Sequence, residues 1–359
     1  MQALCDGTLK KEPNPSPLAL KIAAAARLEH QRWQGHKIDH TGRLYQFGLV
    51  EAENQETPIG KDAKLQDVGW WNVWRYWNNL FDQEDPSASE KDKLLSRLKV
   101  TSIDDAIEQR NPEKALPKIQ TETLLLLKSL NKIDDEKIKQ SLKESVIRAF
   151  VTDNPWSAAF VSYVVDSATK KTAAPPRFAS SSSHITYIRE GLKTSKDEAD
   201  GNGVGMNTLY RACPIHSTRP REGDLVCYQR EEMCKDAKAE DIRNLLTFKD
   251  QILSKPDCKK IEVTHCDVVV RIDLKASKVY TVGGNVLQSV TERRMYLTEK
   301  VWFSENQGEQ ACLQDQIKGA QDDKAVPKGK HCSLNKKDWF VLLQARESQP
   351  AIALHEIND

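Results

Sequence analysis

Ser157 stands just after the turn-forming run Asp153-Asn154-Pro155 and just ahead of the apolar stretch AAFVSYVV, which puts its hydroxyl in the first turn of a buried helix. At that place the helix dipole and the unpaired amide groups favour a nucleophile and the oxyanion that develops beside it. A serine beside a helix start is also an ordinary cap, so its chemistry depends on what comes near it. His265 and Asn285 are the partners expected. In VTHCDVVVRI-DLKAS-KVYTVGGN two β-branched runs flank a turn around Lys275, midway between positions 265 and 285. An antiparallel hairpin then brings the imidazole and the amide within reach of each other, and such an amide holds an imidazole's tautomer and orientation.

Alternation along the first of these strands puts His265, Asp267, Val269 and Arg271 on one face and Cys266, Val268, Val270 and Ile272 on the other. Cys266 therefore points away from the histidine and is a poor nucleophile. Asp267 shares the histidine's face, about 6–7 Å along the strand, where it tunes the imidazole or meets substrate. The alternative is an ordinary pair of polar strand residues. His184, in the run SSSSHITYI, follows a polyserine loop and begins the next helix; a place in a substrate groove and a plain loop position both fit.

The elements that must position these groups read as helices first and strands afterwards, an α+β arrangement with N-terminal helices packed on an antiparallel sheet. SPLALKIAAAARLEHQRW is a helix with Ser16 as N-cap and Pro17 at its first position, ended by Gly35. VGWWNVWRYWNNLF sets Trp70, Trp74, Trp77 and Phe81 on one helical face, a core stripe rather than a sugar platform. Two more helices are expected, through Leu124–Leu130 and where Ile138, Leu142, Val146 and Ala149 share a face. Strands are expected at Asp224–Tyr228, Val263–Ile272 and Lys278–Val282. Residues 82–118 and 230–260 are charged and polar and read as surface insertions.

The chain has 359 residues and is 39% hydrophobic, enough for a buried core, and 53 Lys and Arg against 52 Asp and Glu leave a formal charge of +1. Balanced charge argues against nucleic acid as a partner. No run approaches the roughly 18 apolar residues of a membrane span, and the N-terminus lacks the apolar centre of a secretory signal. The expected origin is the cytoplasm, or a chain that has lost its leader. Of eight cysteines, seven fall between Cys213 and Cys332 with no C-x-x-C spacing, so no metal site is expected, and disulfides and buried thiols stay equally open. Cys5 is expected as a free thiol rather than a lipoprotein cysteine. No cofactor is implied.

Three segments carry a family resemblance: Pro155-Trp156-Ser157-Ala158-Ala159-Phe160-Val161-Ser162, Arg219-Pro220-Arg221-Glu222-Gly223-Asp224-Leu225-Val226, and His265 with Gly283-Gly284-Asn285-Val286. In order and context they resemble the NlpC and CHAP clan of papain-like amidases, whose pattern is a helix-borne P-W-C-A-x-F-V, a P-x-x-G-D-L strand, an H-x-x-I-V-V strand and a following G-N. More narrowly the chain resembles a bacterial family of unassigned function in that clan, with tryptophan-serine at the nucleophile position and an SxHxxYI segment. Glu29, Trp33 and Trp74-Arg75-Tyr76-Trp77 fit that family's N-terminal portion. The resemblance covers roughly residues 20–345. It implies a flexible N-terminus over 1–15, a helical portion over 16–150, a papain-like core over 151–345 and a tail over 346–359.

The resemblance implies cleavage of amide bonds in peptidoglycan peptides through an acyl-enzyme, with Ser157 as nucleophile, His265 as base and Asn285 as orienting residue. Asp267, His184, Trp156, Tyr187 and Gly284 are the supporting or substrate-binding positions. Serine where the clan has cysteine is a departure, because a hydroxyl must lose its proton during attack whereas a thiol paired with histidine loses it beforehand. A serine hydrolase supported by Asp267, a fold retained to bind cell-wall peptides, and an engineered loss of a native cysteine all account for it, and an esterase or acyltransferase is a further alternative. A cell-wall substrate without a leader implies export, as for an antibacterial effector of a type VI secretion machine, with a cognate immunity protein as partner.

Overall fold

The structure is a computed structural model and describes Cys5 and residues 15–51, 69–82, 129–130, 132–138, 142, 151–152, 155–170, 172–201, 207–230, 264–308, 311–312 and 332–346. It is an α+β protein. Helix α1 (Pro17–Arg32) begins as its sequence dictates: the Ser16 hydroxyl accepts the Ala19 amide at 3.1 Å and proline occupies the first turn. Short strands β1 (His36–Ile38) and β2 (Leu44–Gln46) follow, then α2 (Gly69–Asp82), α3 (Ser157–Thr169) and α4 (His184–Ala199). The remaining strands are β3 (Tyr210–Pro214), β4 (Leu225–Gln229), β5 (Thr264–Asp273), β6 (Lys278–Val286), β7 (Ser289–Tyr296) and β8 (Asp338–Ala345).

The eight strands form one sheet in the order β2-β1-β7-β6-β5-β4-β8-β3. It is mixed, not antiparallel throughout, because β1 lies parallel to β7 with His36 opposite Thr291. Two segments so distant along the chain leave no local sign of their pairing, and the early β1 and β2 also break the expected order of helices before strands. The β5–β6 hairpin turns at Leu274–Ser277, with Val268 opposite Val282 and Val269 opposite Thr281. A bulge between Val269 and Arg271 shifts the register by one residue. Strict alternation therefore holds from Cys266 to Val270 and fails at Ile272, which packs with Val269 rather than with Val268.

One face of the sheet is covered by the helices. Ile22 and Ala26 of α1, Val73, Trp74 and Trp77 of α2, and Phe160, Val164 and Val165 of α3 share a buried cluster with Cys266, Val268 and Val282. Trp70, Trp74 and Trp77 are buried as a core stripe, while the Phe81 side chain lies outside the described residues. A second cluster on Val226, Val269, Val279 and Leu342 includes Phe303 and Trp339. The expected insertions at 82–118 and 230–260 lie almost wholly outside the described residues, as do Leu124 and most of the helix after it; Ile138 and Leu142 are exposed.

Cys5 is not a free thiol: it is bridged to Cys213 on β3. Cys227 and Cys266, directly opposite each other on β4 and β5, form a second disulfide, and Cys312–Cys332 a third. No described cysteine is free.

Candidate functional site

Ser157 opens α3, preceded by Trp156, whose side chain makes no capping bond. The first-turn amides thus face no side-chain acceptor from the cap, as an oxyanion-binding helix start requires. Trp156 anchors this turn in the core. Its ring stacks on Trp33 at 5.2 Å, its indole N–H donates to Glu51, and Tyr76 packs against it at 5.7 Å. Tyr76 in turn donates to the buried Glu29 carboxylate at 2.7 Å and accepts from Trp33 at 2.8 Å. A polar string through the helices thereby fixes where Ser157 emerges.

The residue in contact with Ser157 is His184, whose Nε2 lies 2.7 Å from the serine Oγ. His184 begins α4 and is buried, and its Nδ1 is bonded to the Tyr187 hydroxyl one turn on. Burial raises the pKa of the Tyr187 phenol well above its ordinary value, so at neutral pH it keeps its proton. That buried proton has one described acceptor, His184 Nδ1, so Tyr187 donates there. Burial also holds the His184 pKa well below the ordinary value, aided by the nearby His265 and Arg230. The imidazole is therefore neutral with its hydrogen on Nε2, donating to Ser157 and leaving the serine's own hydrogen free for another acceptor.

A second imidazole, His265, packs against the first, its ring centroid 5.0 Å from that of His184. It is fully buried, and its Nε2 lies 2.8 Å from Asp267 Oδ1 on the same face of β5. Thr281 on β6 donates to Asp267 Oδ2 at 3.1 Å, and the Arg293 guanidinium of β7 makes an ion pair with the same oxygen at 3.2 Å. Burial pushes the Asp267 carboxyl up, but the His265 hydrogen bond and the Arg293 charge outweigh it and hold the carboxyl below its ordinary value. Burial lowers His265 to about 4 against the lift from Asp267, with Arg230 pushing the same way as burial. Arg230 donates to His265 Nδ1 at 2.7 Å. A nitrogen that accepts from a guanidinium carries no proton, so the hydrogen is on Nε2 and points at Asp267.

Asn285 is not the group that orients His265. No hydrogen bond joins the two among the described residues, although the hairpin register of Val268 opposite Val282 extrapolates to this pair. The β6–β7 ladder is irregular between Gly283 and Val286, and Asn285 sits there half-buried with a positive φ of 54°. What lies beside the histidine is bare backbone. A Cβ on Gly283 would stand 1.9 Å from Asp267 Oδ1 and 3.0 Å from His265 Nε2, and one on Gly284 would stand 2.5 Å from the Phe160 side chain. The glycines let β6 close over the histidine–aspartate pair and let α3 seat against the sheet.

The structure thus joins Ser157, His184, Tyr187, His265 and Asp267 in one buried cluster, with Trp156 behind it and Gly284 against α3. Arg230 and Arg293 were legible only as two arginines among many. Among the described residues no group of histidine, cysteine or acidic side chains could hold a metal ion, and no helix is long and apolar enough to cross a membrane.

These features define an α+β protein with a buried serine bonded to one neutral imidazole, against which a second, carboxylate-backed imidazole packs. Residues 132–345 match the model of DUF2272, described as an uncharacterized protein conserved in bacteria, and the chain belongs to that family. The match begins beyond α1 and α2, so the N-terminal residues Glu29, Trp33 and Trp74–Trp77 fall outside it. No curated protein matches the chain, and no solved structure does.

Proposed function

We propose that this chain is a serine hydrolase of amide bonds built on a papain-like plan of the NlpC and CHAP kind, acting on peptidoglycan peptides. One observation carries the reading: Ser157 at an uncapped helix start is held by His184 at 2.7 Å beside a second imidazole, His265, that a buried carboxylate backs at 2.8 Å. In this scheme Ser157 Oγ attacks the carbonyl carbon while its proton passes to His265 Nδ1. The Asp267 carboxylate stabilises the resulting imidazolium, which a neutral amide at Asn285 would do less well. The α3 amides receive the oxyanion. The C–N bond then breaks, the leaving amine takes the proton from His265, and an acyl-serine remains. Water, giving a proton to the same nitrogen, hydrolyses that ester and restores Ser157. His184 positions Oγ throughout.

The cell-wall substrate rests on the sequence resemblance. The disulfides fit a destination outside the reducing cytoplasm, which an exported antibacterial effector with a cognate immunity protein also requires. A second reading, a module that binds cell-wall peptides without cleaving them, is favoured by one contact: Arg230 occupies the nitrogen that the base needs. Purified sacculi separate the two. Hydrolysis releases new amino or carboxyl ends, read by mass spectrometry, and Ser157→Ala releases none; binding alone leaves sacculi intact and is unchanged by Ser157→Ala.

A further inference from the structure

Arg230 follows the last residue of β4 and is exposed, yet its guanidinium reaches the buried Nδ1 of His265 at 2.7 Å. A cation next to an imidazole is a poor resting partner, because it opposes the charge a base must accept. On the other side of β4 the pairing with β8 runs Leu225 opposite Leu343 to Gln229 opposite Asp338, and Arg230 and Lys337 are the residues that lie just beyond this last pair along the two strands. Arg293 adds a third cation, its guanidinium 5.9 Å above the Tyr228 ring, which in turn lies 5.0 Å from His265.

Arg293 has its counter-ion in Asp267. Among the described residues neither Arg230 nor Lys337 makes an ion pair, and the exposed Asp338 is the acidic neighbour of Lys337. Burial first, and then the charges of Arg293 and Arg230, lower Lys337 to about 8 against a smaller lift from Asp338. Arg230 thus stands against the serine–histidine cluster with Lys337 near it, and the acidic group that acts on Lys337 is the exposed Asp338.

We propose that Arg230 and Lys337 form the binding site for a carboxylate of the substrate, so that the substrate class is an acidic peptide with its free carboxylate beside the bond at Ser157. The placement of that bond rests on the hydrolytic reading above; the carboxylate site does not. A guanidinium and an ammonium bind a carboxylate through charge-assisted hydrogen bonds that an amide in its place cannot match. Drawing Arg230 onto the carboxylate also takes it off His265 Nδ1. The base is then freed only when an acidic substrate is present, which reconciles a masked histidine with a hydrolytic site.

The test uses acetyl-Ala-Glu-Ala with its carboxylates free, and the same peptide fully amidated, titrated calorimetrically into full-length Ser157→Ala protein. The free acid binds at least about tenfold more tightly than the amidated peptide. Adding Arg230→Gln and Lys337→Gln removes that preference and leaves the amidated peptide's affinity unchanged. Both substitutions replace surface or half-buried cations, and circular dichroism checks that the fold persists. Equal affinity for the two peptides, an unchanged preference in the double variant, or no binding of the free acid overturns the proposal. Carboxylate-dependent binding with no cleavage of any peptide by the unsubstituted protein would leave the carboxylate site standing and remove the hydrolytic reading. Cleavage of free and amidated peptides at equal rates does the reverse.

Discussion

Asp267 lies two residues from His265 on the same face of β5 and accepts its Nε2 hydrogen at 2.8 Å. The orienting group of the candidate base is thus a carboxylate from its own strand, not the amide of Asn285 across the hairpin. For a serine nucleophile the difference is chemical. A hydroxyl yields its proton to a stronger base than a thiol requires, and a buried carboxylate supplies the added stabilisation of the imidazolium.

Replacing Asp267 by Asn is expected to reduce hydrolysis far more than Asn285→Ala. It also leaves the buried Arg293 without its counter-ion, a loss on the order of 3–5 kcal/mol for a broken buried pair. Urea denaturation should show this as a lower midpoint with an unchanged slope. Asn285→Ala, half-buried and apart from His265, should leave both stability and rate close to the parent.

The low His265 value sets a pH dependence. The imidazole accepts a proton during attack only while it is neutral, and in the folded protein it stays neutral down to about pH 4 rather than the ordinary 6.5. The acid limb of kcat/KM should therefore fall near pH 4 to 5. The same shift acts on stability. Between about 4 and 6.5 the unfolded chain binds the proton and the folded one does not, so this histidine makes the fold less stable as pH falls through that window. Asp224, raised to about 6 chiefly by burial, works in the opposite direction between its ordinary 3.8 and that value. The informative measurement is the difference in unfolding free energy between parent and His265→Gln across pH 4 to 7. That difference should vary with the sign given for the histidine, and a flat difference would remove the shift.

Gly283→Ala places a methyl group where Asp267 Oδ1 already lies, at 1.9 Å. Something must move, and the histidine–aspartate pair is what the methyl meets. Activity is expected to drop at least about tenfold, consistent with catalytic geometry being sensitive to shifts near 1 Å. Nuclear magnetic resonance of the His265 ring should report a weakened Nε2–H bond.

Cys227–Cys266 closes a 39-residue separation across β4 and β5, one residue from His265. Loop-closure entropy puts its contribution at roughly 4 kcal/mol. Cys227→Ala with Cys266→Ala should lower the urea midpoint accordingly, and dithiothreitol should lower the parent's midpoint while leaving that double variant's response to the other bridges alone.

Much of this arrangement was legible locally. Ser16, Pro17 and the alanine-rich run specify α1, and the tryptophan spacing specifies the buried face of α2. The symmetry of His265 and Asn285 about Lys275 predicted the register that Val268 and Val282 keep. What escaped was set by tertiary structure. The irregular β6–β7 pairing at Gly283–Val286 and the positive φ of Asn285 are local departures that no alternation pattern encodes. The contact between His184 and Ser157 depends on how α4 returns to α3, and polyserine ahead of His184 carries no direction. The pairing of β1 with β7, and the choice of Cys213 for Cys5, join segments more than 200 residues apart, beyond any periodicity.

The most direct measurement is the intact mass of the protein, acid-quenched during turnover of sacculus-derived peptides and then mapped by proteolysis. An acyl adduct on the peptide that contains Ser157, absent from Ser157→Ala, is the predicted result. Peptide cleavage that proceeds unchanged in Ser157→Ala, or an adduct on any other residue, would contradict the assignment of Ser157 as the nucleophile.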